Sequence, residues 1–589
     1  MEHFARTAWL LDAAWRLGPR PVLLAAWHRS PLARARAHRA LPDLPAPAGD
    51  FLPPAAPPAP PLPPGHAAAV LAAVQRIAPP DWHGPFPAEA PALAMDLFAP
   101  GDIRPVWERN RWSELPLLVQ AARLDPAGGQ LAQAEALLSD WCRRNPPFRG
   151  PNWACGQEAA LRALHLALAL ALLGAARDPP PGARALLVLH GRRIAATPAY
   201  AMAQDNNHPV SEAAGLLACG LLLREPDWVA RGAARLRAAV LRLVAPCGSF
   251  AQLSTGYHRL LLDVLAVAEW LRRHLDGPPP DPAVPERAGA ATDWLRRLTD
   301  PATGATPRLG HQDGSAFADL SLAGPADARP SLERAARLFL GRSAGFAEDP
   351  GCAWLELPGA APLPAPPDAW AGEGLMGWQA DGVRAVLRTG PLHFRPGQAD
   401  LLHLDLWDGP LNLLRDGGTG AYNAPPGAAW WHRYFTGTAA HNTLEFDGAD
   451  QMPRLSRFLF ARWPRTGCLP DGAWIRDHRG NRHTRRIRVE GRRWVVEDRV
   501  AGPFRSLALR WRLAPARWRA MPDGVESPLG RLAIQADAPL ACALEPGWES
   551  PAYGEVRPAP ILTARIRAPV SRITTMLDLP DNAGFSELP

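Results

Sequence analysis

The chain has 589 residues, 47% of them hydrophobic and 21% charged, the proportions of a globular protein long enough for at least two domains with full cores. It contains no lysine, so all 64 basic residues are arginine, and the net charge of +7 with a pI near 9.4 favours an acidic partner, although the excess is small for this length. Seven scattered cysteines without a CxxC pair argue against a disulfide framework or a zinc ribbon, and the longest apolar run, 163–176, is shorter than the roughly 18 residues of a membrane span. Five of the cysteines sit among Ala, Leu and Trp and read as core residues.

Residues 1–40 read as two short amphipathic helices rich in Trp and Arg. Asp12, Arg16 and Arg20 interrupt their apolar stretches, so no secretory signal is expected. The segment 41–65, including PAPAGDFLPPAAPPAPPLPPG, is too proline-dense for helix or sheet and forms a linker or an extended strap with the preceding helices. From 66 to 345 helical patterns follow one another: 113–124, 130–143, 156–173, 180–196, 209–223, 228–244, 257–275, 285–298 and 331–340. Short Pro/Gly connections make neighbours antiparallel, and helical hairpins in series predict an (α/α) toroid. A proline-rich linker is expected over 346–372. Beyond it, 373–589 carries short runs bounded by Gly, Asp or Pro, among them 383–388, 401–407, 442–446, 485–489, 494–500, 506–513, 532–537 and 561–567. In HTRRIRVEGRRWVVEDRV the apolar residues alternate around a turn at Glu490-Gly491. The fold class is therefore multidomain α+β, an N-terminal (α/α) toroid followed by a C-terminal antiparallel β-sandwich.

The most informative stretch is AQDNNHPVSEAAG. Pro209 suits a helix start, and Val210, Ala213, Ala214, Leu217 and Ala218 continue at helical spacing, so Asn207 and His208 gather at the N-terminal end of a helix. That end carries partial positive charge and free N–H donors, which suits an acidic group. A second junction of this kind, Ser254-Thr255-Gly256, presents Tyr257 before another helix. Further candidates are Glu108 and Arg111 beside Trp107, whose aromatic face suits a sugar, and His311 and Asp313 in a loop between helical regions. Glu158 is a candidate substrate contact that also stands one turn from Arg162 and can pair with it. The arginines between Arg476 and Arg493 lie on an alternating strand and read as a solvated face.

Eight stretches carry a resemblance in the same chain order: DIRPVWERNRW, NWACGQEAALRAL, NNHPVSEAAGL, STGYHRLLLDVL, LGHQDG, RPGQADLLHLDLW, RDGGTGAY and FTGTAAHNTLEFDG. Together they resemble the heparinase II/III family of polysaccharide lyases, which pair an α/α toroid with a C-terminal β-sandwich. The resemblance implies β-elimination on an acidic, uronate-containing glycan. That reaction needs a donor to neutralise the uronate carboxylate, a base at C5 and an acid for the departing C4 oxygen. Asn207 matches the family's carboxylate-neutralising amide, His208 lies beside it as base or electrostatic partner, and Tyr257 matches the catalytic tyrosine. The family commonly carries a His-x-His-Ala-Asp stretch entering the β domain, and here it reads Pro396-Gly397-Gln398-Ala399-Asp400. Asp416 and His441 match positions that help hold a zinc in some members, with Gln398 standing where a ligand histidine is expected, a poor replacement for imidazole. His393 and His403 flank the lost pair; His403, on one strand face with Asp405, suits a compensating role and is also a candidate substrate contact.

No cofactor is required by this chemistry, and the expected partner is an acidic polysaccharide, with no nucleic acid and no integral membrane segment. The residues leave two alternatives open: a uronate C5-epimerase sharing the first proton abstraction, and a non-catalytic glycan-binding protein in envelope or capsule polysaccharide metabolism. A glycoside hydrolase would need paired carboxylates, for which Asp313 is the one loop acid. The resemblance points to the cell envelope, whereas the N-terminal residues show no export signal.

Overall fold

The computed structural model describes residues 2–99, 101–317 and 319–581. Among them, sixteen α-helices precede the first strand, and antiparallel sheets make up the rest, so the molecule is a helical toroid followed by a β-sandwich. The expected helices are all present, with no end shifted by more than two residues. The helix His208–Leu223 lies at the centre, packed on Gly156–Leu172, Pro226–Leu243, Thr255–His274 and Pro181–Ala196. Gly156–Leu172 is buried along its whole length, which explains why 163–176 is the most apolar run in the chain. Among the described residues, no helix is long and apolar enough to cross a membrane.

Two segments differ from expectation. Residues 2–40 form three helices, Glu2–Leu17, Pro19–Arg29 and Pro31–Ala40, because Gly18 at φ +80° and Ser30 each end one helix where a proline begins the next. Residues 346–372 are packed structure rather than a free linker: they hold the helix Pro350–Trp354 and the strand Ala369–Gly372. Trp354 is buried and its indole N–H donates to His66 Nε2 at 3.1 Å. The proline-rich segment is a strap laid on the toroid, with Phe51 and Leu52 buried and their N–H groups donating to the Glu135 carboxylate at 2.8 and 2.9 Å. Of the cysteines, all free, four are buried (Cys142, Cys155, Cys219 and Cys352), one fewer than the five expected, because Cys542 is only partly covered.

The β domain contains a five-stranded sheet running from Ala369 to Leu414, an eight-stranded sheet and a four-stranded sheet, all with antiparallel neighbours. The hairpin Arg482–Glu490 and Arg493–Ala501 sits inside the large sheet, closing through Gly491 at φ +64°. Its inward residues Trp494 and Val496 join Leu509, Trp511 and Ile573 in the core. The strand Leu540–Glu549 escapes the sequence pattern because Pro546 and Gly547 interrupt it, yet it pairs over ten residues with Arg557–Arg567.

Arg485 corrects the reading of the arginine cluster as a wholly solvated face. It is buried, forks onto Asp498 at 2.7 and 2.9 Å and donates to the carbonyls of Leu402 and Asn442. Asp498 also accepts from His483 at 2.7 Å. Burial opposes the charged carboxylate, but Arg485 and His483 hold its pKa well below the usual range. Its stabilising share is therefore present above the unfolded carboxyl pKa and lost as pH falls below it. Asp498→Ala strands a buried guanidinium and is expected to destabilise the β domain by about 3–5 kcal/mol, read as an earlier transition in urea; an unchanged midpoint would refute this role.

Candidate active site

The site forms where the ends of several toroid helices meet the β domain. Asp205, in the left-handed region at φ +46°, ends the short helix Pro198–Gln204 and is fixed by Arg242 at 2.6 and 2.7 Å. The turn it makes delivers Asn206, Asn207 and His208 to the start of the next helix. Asn207 does not cap that helix with its side chain. Its amide instead donates to Gln157 Oε1 at 2.8 Å, while its backbone N–H reaches Gln252 Oε1 at 3.3 Å. One amide N–H and the amide oxygen are left for a ligand.

Tyr257 is delivered in the same way. Ser254 Oγ accepts the Tyr257 N–H at 3.2 Å and donates to the His311 carbonyl, so the second helix start and the LGHQDG loop are tied together. Gly310, at φ +69°, lets that loop pass where a Cβ would stand 2.5 Å from the Leu253 carbonyl oxygen. The Tyr257 hydroxyl donates to Asp313 at 2.8 Å and lies 2.8 Å from the Tyr422 hydroxyl of the β domain. Arg104 Nε holds the same Asp313 oxygen at 2.9 Å. Tyr553 completes the layer, donating to Asp102 at 2.6 Å and accepting the Tyr422 N–H at 2.8 Å.

Asn207, His208, Tyr257, Trp107, Arg111, Glu158, His311 and Asp313 all line one cavity of about 230 Å³. Residues that sequence reasoning did not single out, Arg104, Gln157, Arg395 and Tyr422, line it too. Each stands inside one of the eight family-like stretches, so position within those motifs was the available signal. Glu108 does not line the cavity; it is partly exposed beside it and pairs with both Arg104 and Arg111. The expected Glu158–Arg162 pair is replaced. Glu158 takes a two-point bond from Arg111 at 2.7 and 2.8 Å, whereas Arg162 lies over the rings of Trp112, Trp141 and Trp153 and donates to the Asn152 carbonyl.

The electrostatics separate the groups. Burial lowers the pKa of His208, so its imidazole is neutral near pH 7. Burial, and next the Asp313 carboxylate, push the Tyr257 phenol well above its usual range. Asp313 itself is held well below the carboxylate range because Arg104 and Arg111 outweigh its burial. Glu158 is likewise lowered against burial by Arg111. Arg395 pairs with no acid in hydrogen-bond reach; it donates to the Ala203 carbonyl at 3.1 Å, and its Nε is buried without a partner. His311 Nε2 is also buried and unpartnered, and its ring is pressed on Gly397, where a Cβ would lie 3.0 Å away. A larger cavity of about 840 Å³ shares Phe98, Tyr200, Gln204 and Arg395 with the first and is walled on its far side by Arg29, Arg34 and Arg193.

His403, Gln398, Asp416 and His441 do not line this cavity; all four are buried within the β domain. His403 is thus no substrate contact, and it takes the place assigned to Gln398 in the metal-like group. His403, Asp416 and His441 bring one ligand atom each within 4.8 Å of one another. Gln398 is turned away, donating to the carbonyls of Gly418 and Phe435 at 3.0 and 3.2 Å. His441 Nδ1 meets Asp416 at 2.7 Å, which leaves its Nε2 as a lone pair. His403 differs. The buried Asn442 backbone N–H donates to its Nδ1 at 2.9 Å, so the ring proton sits on Nε2, aimed at Asp405 and Asp416 at 3.7 and 3.6 Å. An N–H is not a zinc ligand, and one imidazole with one carboxylate is an incomplete set, so these residues do not fit a bound zinc.

Residues 364–577 match the family model described as Heparinase II/III-like, C-terminal. No curated protein matches the chain in sequence. A crystal structure of heparinase III superposes with a TM-score of 0.61 at 14% identity, over 81% of this chain and 77% of that one. The heparan sulfate lyase HepC from Pedobacter heparinus gives 0.54 at 17% identity, over 95% and 88%. The chondroitin AC lyase of Streptomyces coelicolor, solved with chondroitin sulphate, gives 0.51 at 13% identity, over 84% and 78%. At these identities the likeness is one of fold, a toroid carrying a β-sandwich. Residues 364–577 therefore form a heparinase II/III-like C-terminal domain, and the chain as a whole shares the toroid-plus-sandwich fold of these lyases.

Proposed function

We propose that this protein is a polysaccharide lyase that cleaves an acidic, uronate-containing glycan by β-elimination, with Asn207, His208 and Tyr257 at the reaction centre. The observation that carries the reading is the meeting of two helix starts in one cavity, one offering an amide and a neutral imidazole, the other a buried phenol hydrogen-bonded to Asp313.

The uronate carboxylate is placed against the free Asn207 amide N–H and the positive end of the helix His208–Leu223, with Arg395 alongside. Neutralising it makes the C5 proton acidic enough to remove. The ring proton of His208 is assigned to Nδ1, toward Cys155 Sγ at 3.9 Å, which leaves the Nε2 lone pair as the base. The C5 proton passes to Nε2 and its electron pair forms the C4–C5 double bond. The C4–O bond breaks, and the departing oxygen takes the Tyr257 proton. Tyr422, 2.8 Å from the same oxygen, donates to the phenolate that results. Solvent then removes the proton from His208 and restores the one on Tyr257.

Retaining or inverting hydrolysis fits the cavity poorly. Asp313 and Glu158 are locked on arginines with lowered pKa values, and neither is a protonated general acid. Glu212, whose pKa burial pushes up to about 8, lines a different cavity behind the helix.

Incubation with alginate, heparan, hyaluronan and acidic capsular polymers is expected to raise ultraviolet absorbance from the unsaturated uronate for one of them. Tyr257→Phe should lower kcat by about 10²–10⁴-fold while glycan binding persists; full activity in that variant removes the assignment. Solvent deuterium entering intact polymer, with no new unsaturated ends, would make the protein an epimerase instead, and saturable binding without any change in the glycan a binding protein.

The pH profile follows from the two shifts. The base works when neutral, so activity falls as pH drops through the His208 pKa, below the usual 6.5. The acid works when protonated, so activity falls as pH rises through the Tyr257 pKa, above the usual 10. A kcat/KM plateau across about pH 7 to 9 is expected, and a sharp optimum inside that window would contradict these roles.

A further inference from the structure

The helices Glu2–Leu17 and Pro19–Arg29 are apolar on both sides. Their inward sides hold them on the rest of the chain: Ala13 and Pro21 are buried, Asp12 accepts the Arg462 backbone N–H, the Arg16 guanidinium lies 5.8 Å from the Trp463 ring, and His28 packs on Tyr200. Their outward sides carry Leu11 and Trp15 on one helix and Leu23 and Trp27 on the next, each pair one turn apart. Trp15 is 87% exposed, and Leu11 and Leu23 are each 67% exposed. Among the described residues, seven of the eleven exposed large apolar side chains fall between Leu10 and Leu32.

Positive charge is concentrated in the same segment. The first forty residues contain seven arginines against two acids, Glu2 and Asp12, so most of the chain's net charge of +7 lies here. Arg29, Arg34, Arg36 and Arg39 have no acidic partner among the described residues. Exposed Trp and Leu on arginine-rich helices match the requirements of a helix lying in the interface of a bilayer: apolar side chains enter the acyl boundary, indole rings sit at headgroup depth and guanidinium groups meet lipid phosphate. Each arginine near an anionic leaflet adds attraction that salt weakens.

We propose that the outward faces of these two helices dock the protein on an anionic phospholipid surface. The docking lies on a surface separate from the catalytic groups, so it stands or fails independently of the lyase reading.

The test is sedimentation of the full-length protein with vesicles of phosphatidylcholine alone and with about 30% phosphatidylglycerol. Binding is expected on the anionic vesicles, with weakening at high salt and little association with the neutral ones. Replacing Leu11, Trp15, Leu23 and Trp27 together by Ser should lower vesicle affinity at least about tenfold while the circular dichroism spectrum is kept. Quenching of the wild-type tryptophans by vesicles with brominated acyl chains checks insertion without any substitution. Absence of binding to anionic vesicles overturns the proposal. So does self-association in sedimentation velocity that the same substitutions abolish without any vesicle binding, since the surface would then meet a second copy of the chain.

Discussion

The contact on which the site depends is the buried chain from Arg104 through Asp313 and Tyr257 to Tyr422. It begins on a toroid helix, crosses a loop and a second helix start, and ends in the β domain. A carboxylate so thoroughly removed from water survives as a charge only because Arg104 is fixed against it. Burial, and after it that charge, raise the pKa of the Tyr257 phenol. Loosening any one member therefore alters both the contact between the two domains and the pKa of the tyrosine. Tyr553 on Asp102, Gln312 on Thr419 and Asn423 on the Phe98 carbonyl reinforce the same seam.

Under the proposed lyase reading, the cavity would hold an anion although most nearby arginines are already committed. Arg104 and Arg111 are spent on Asp313, Glu158 and Glu108, and they shape the wall instead of gripping a ligand. What remains for a carboxylate is a helix N-terminus with an undirected amide group, together with Arg395. Neutralisation by dipoles and one guanidinium suits a group whose negative charge must be withdrawn without being trapped. Within the β domain, Asp416 and His441 are hydrogen-bonded beside His403, where Gln398 had already made a zinc site doubtful on the sequence. A single backbone N–H, that of Asn442, decides it by fixing which nitrogen of His403 carries the proton.

Much of this was legible in the residues. Helical spacing after Pro209 and after Ser254 placed two helix starts correctly to within two residues, because capping and periodicity are local properties. Alternation around Gly491 placed a sheet hairpin for the same reason. Of the two helix breaks within 2–40, at Gly18-Pro19 and at Ser30-Pro31, one was overlooked although their signals are local too. Strands such as Leu540–Glu549 could not be seen, since their stability comes from ladder bonds with distant partners rather than from side-chain pattern. Arg485 looked solvated on alternation, yet Asp498 on the neighbouring strand draws it inward.

The sequence by itself determined the order of a helical domain and a strand domain, and it placed an amide, an imidazole and a phenol at helix starts. Those outcomes follow from neighbours within a few residues along the chain. Only the tertiary structure decided which charges cancel, that Glu158 belongs to Arg111 and not Arg162, and that His403 turns into a sealed cluster. It also brought Tyr422 from 165 residues away to the Tyr257 hydroxyl. Pairing of buried charges and protonation of buried rings depend on distances across the fold, and no spacing along a chain encodes them.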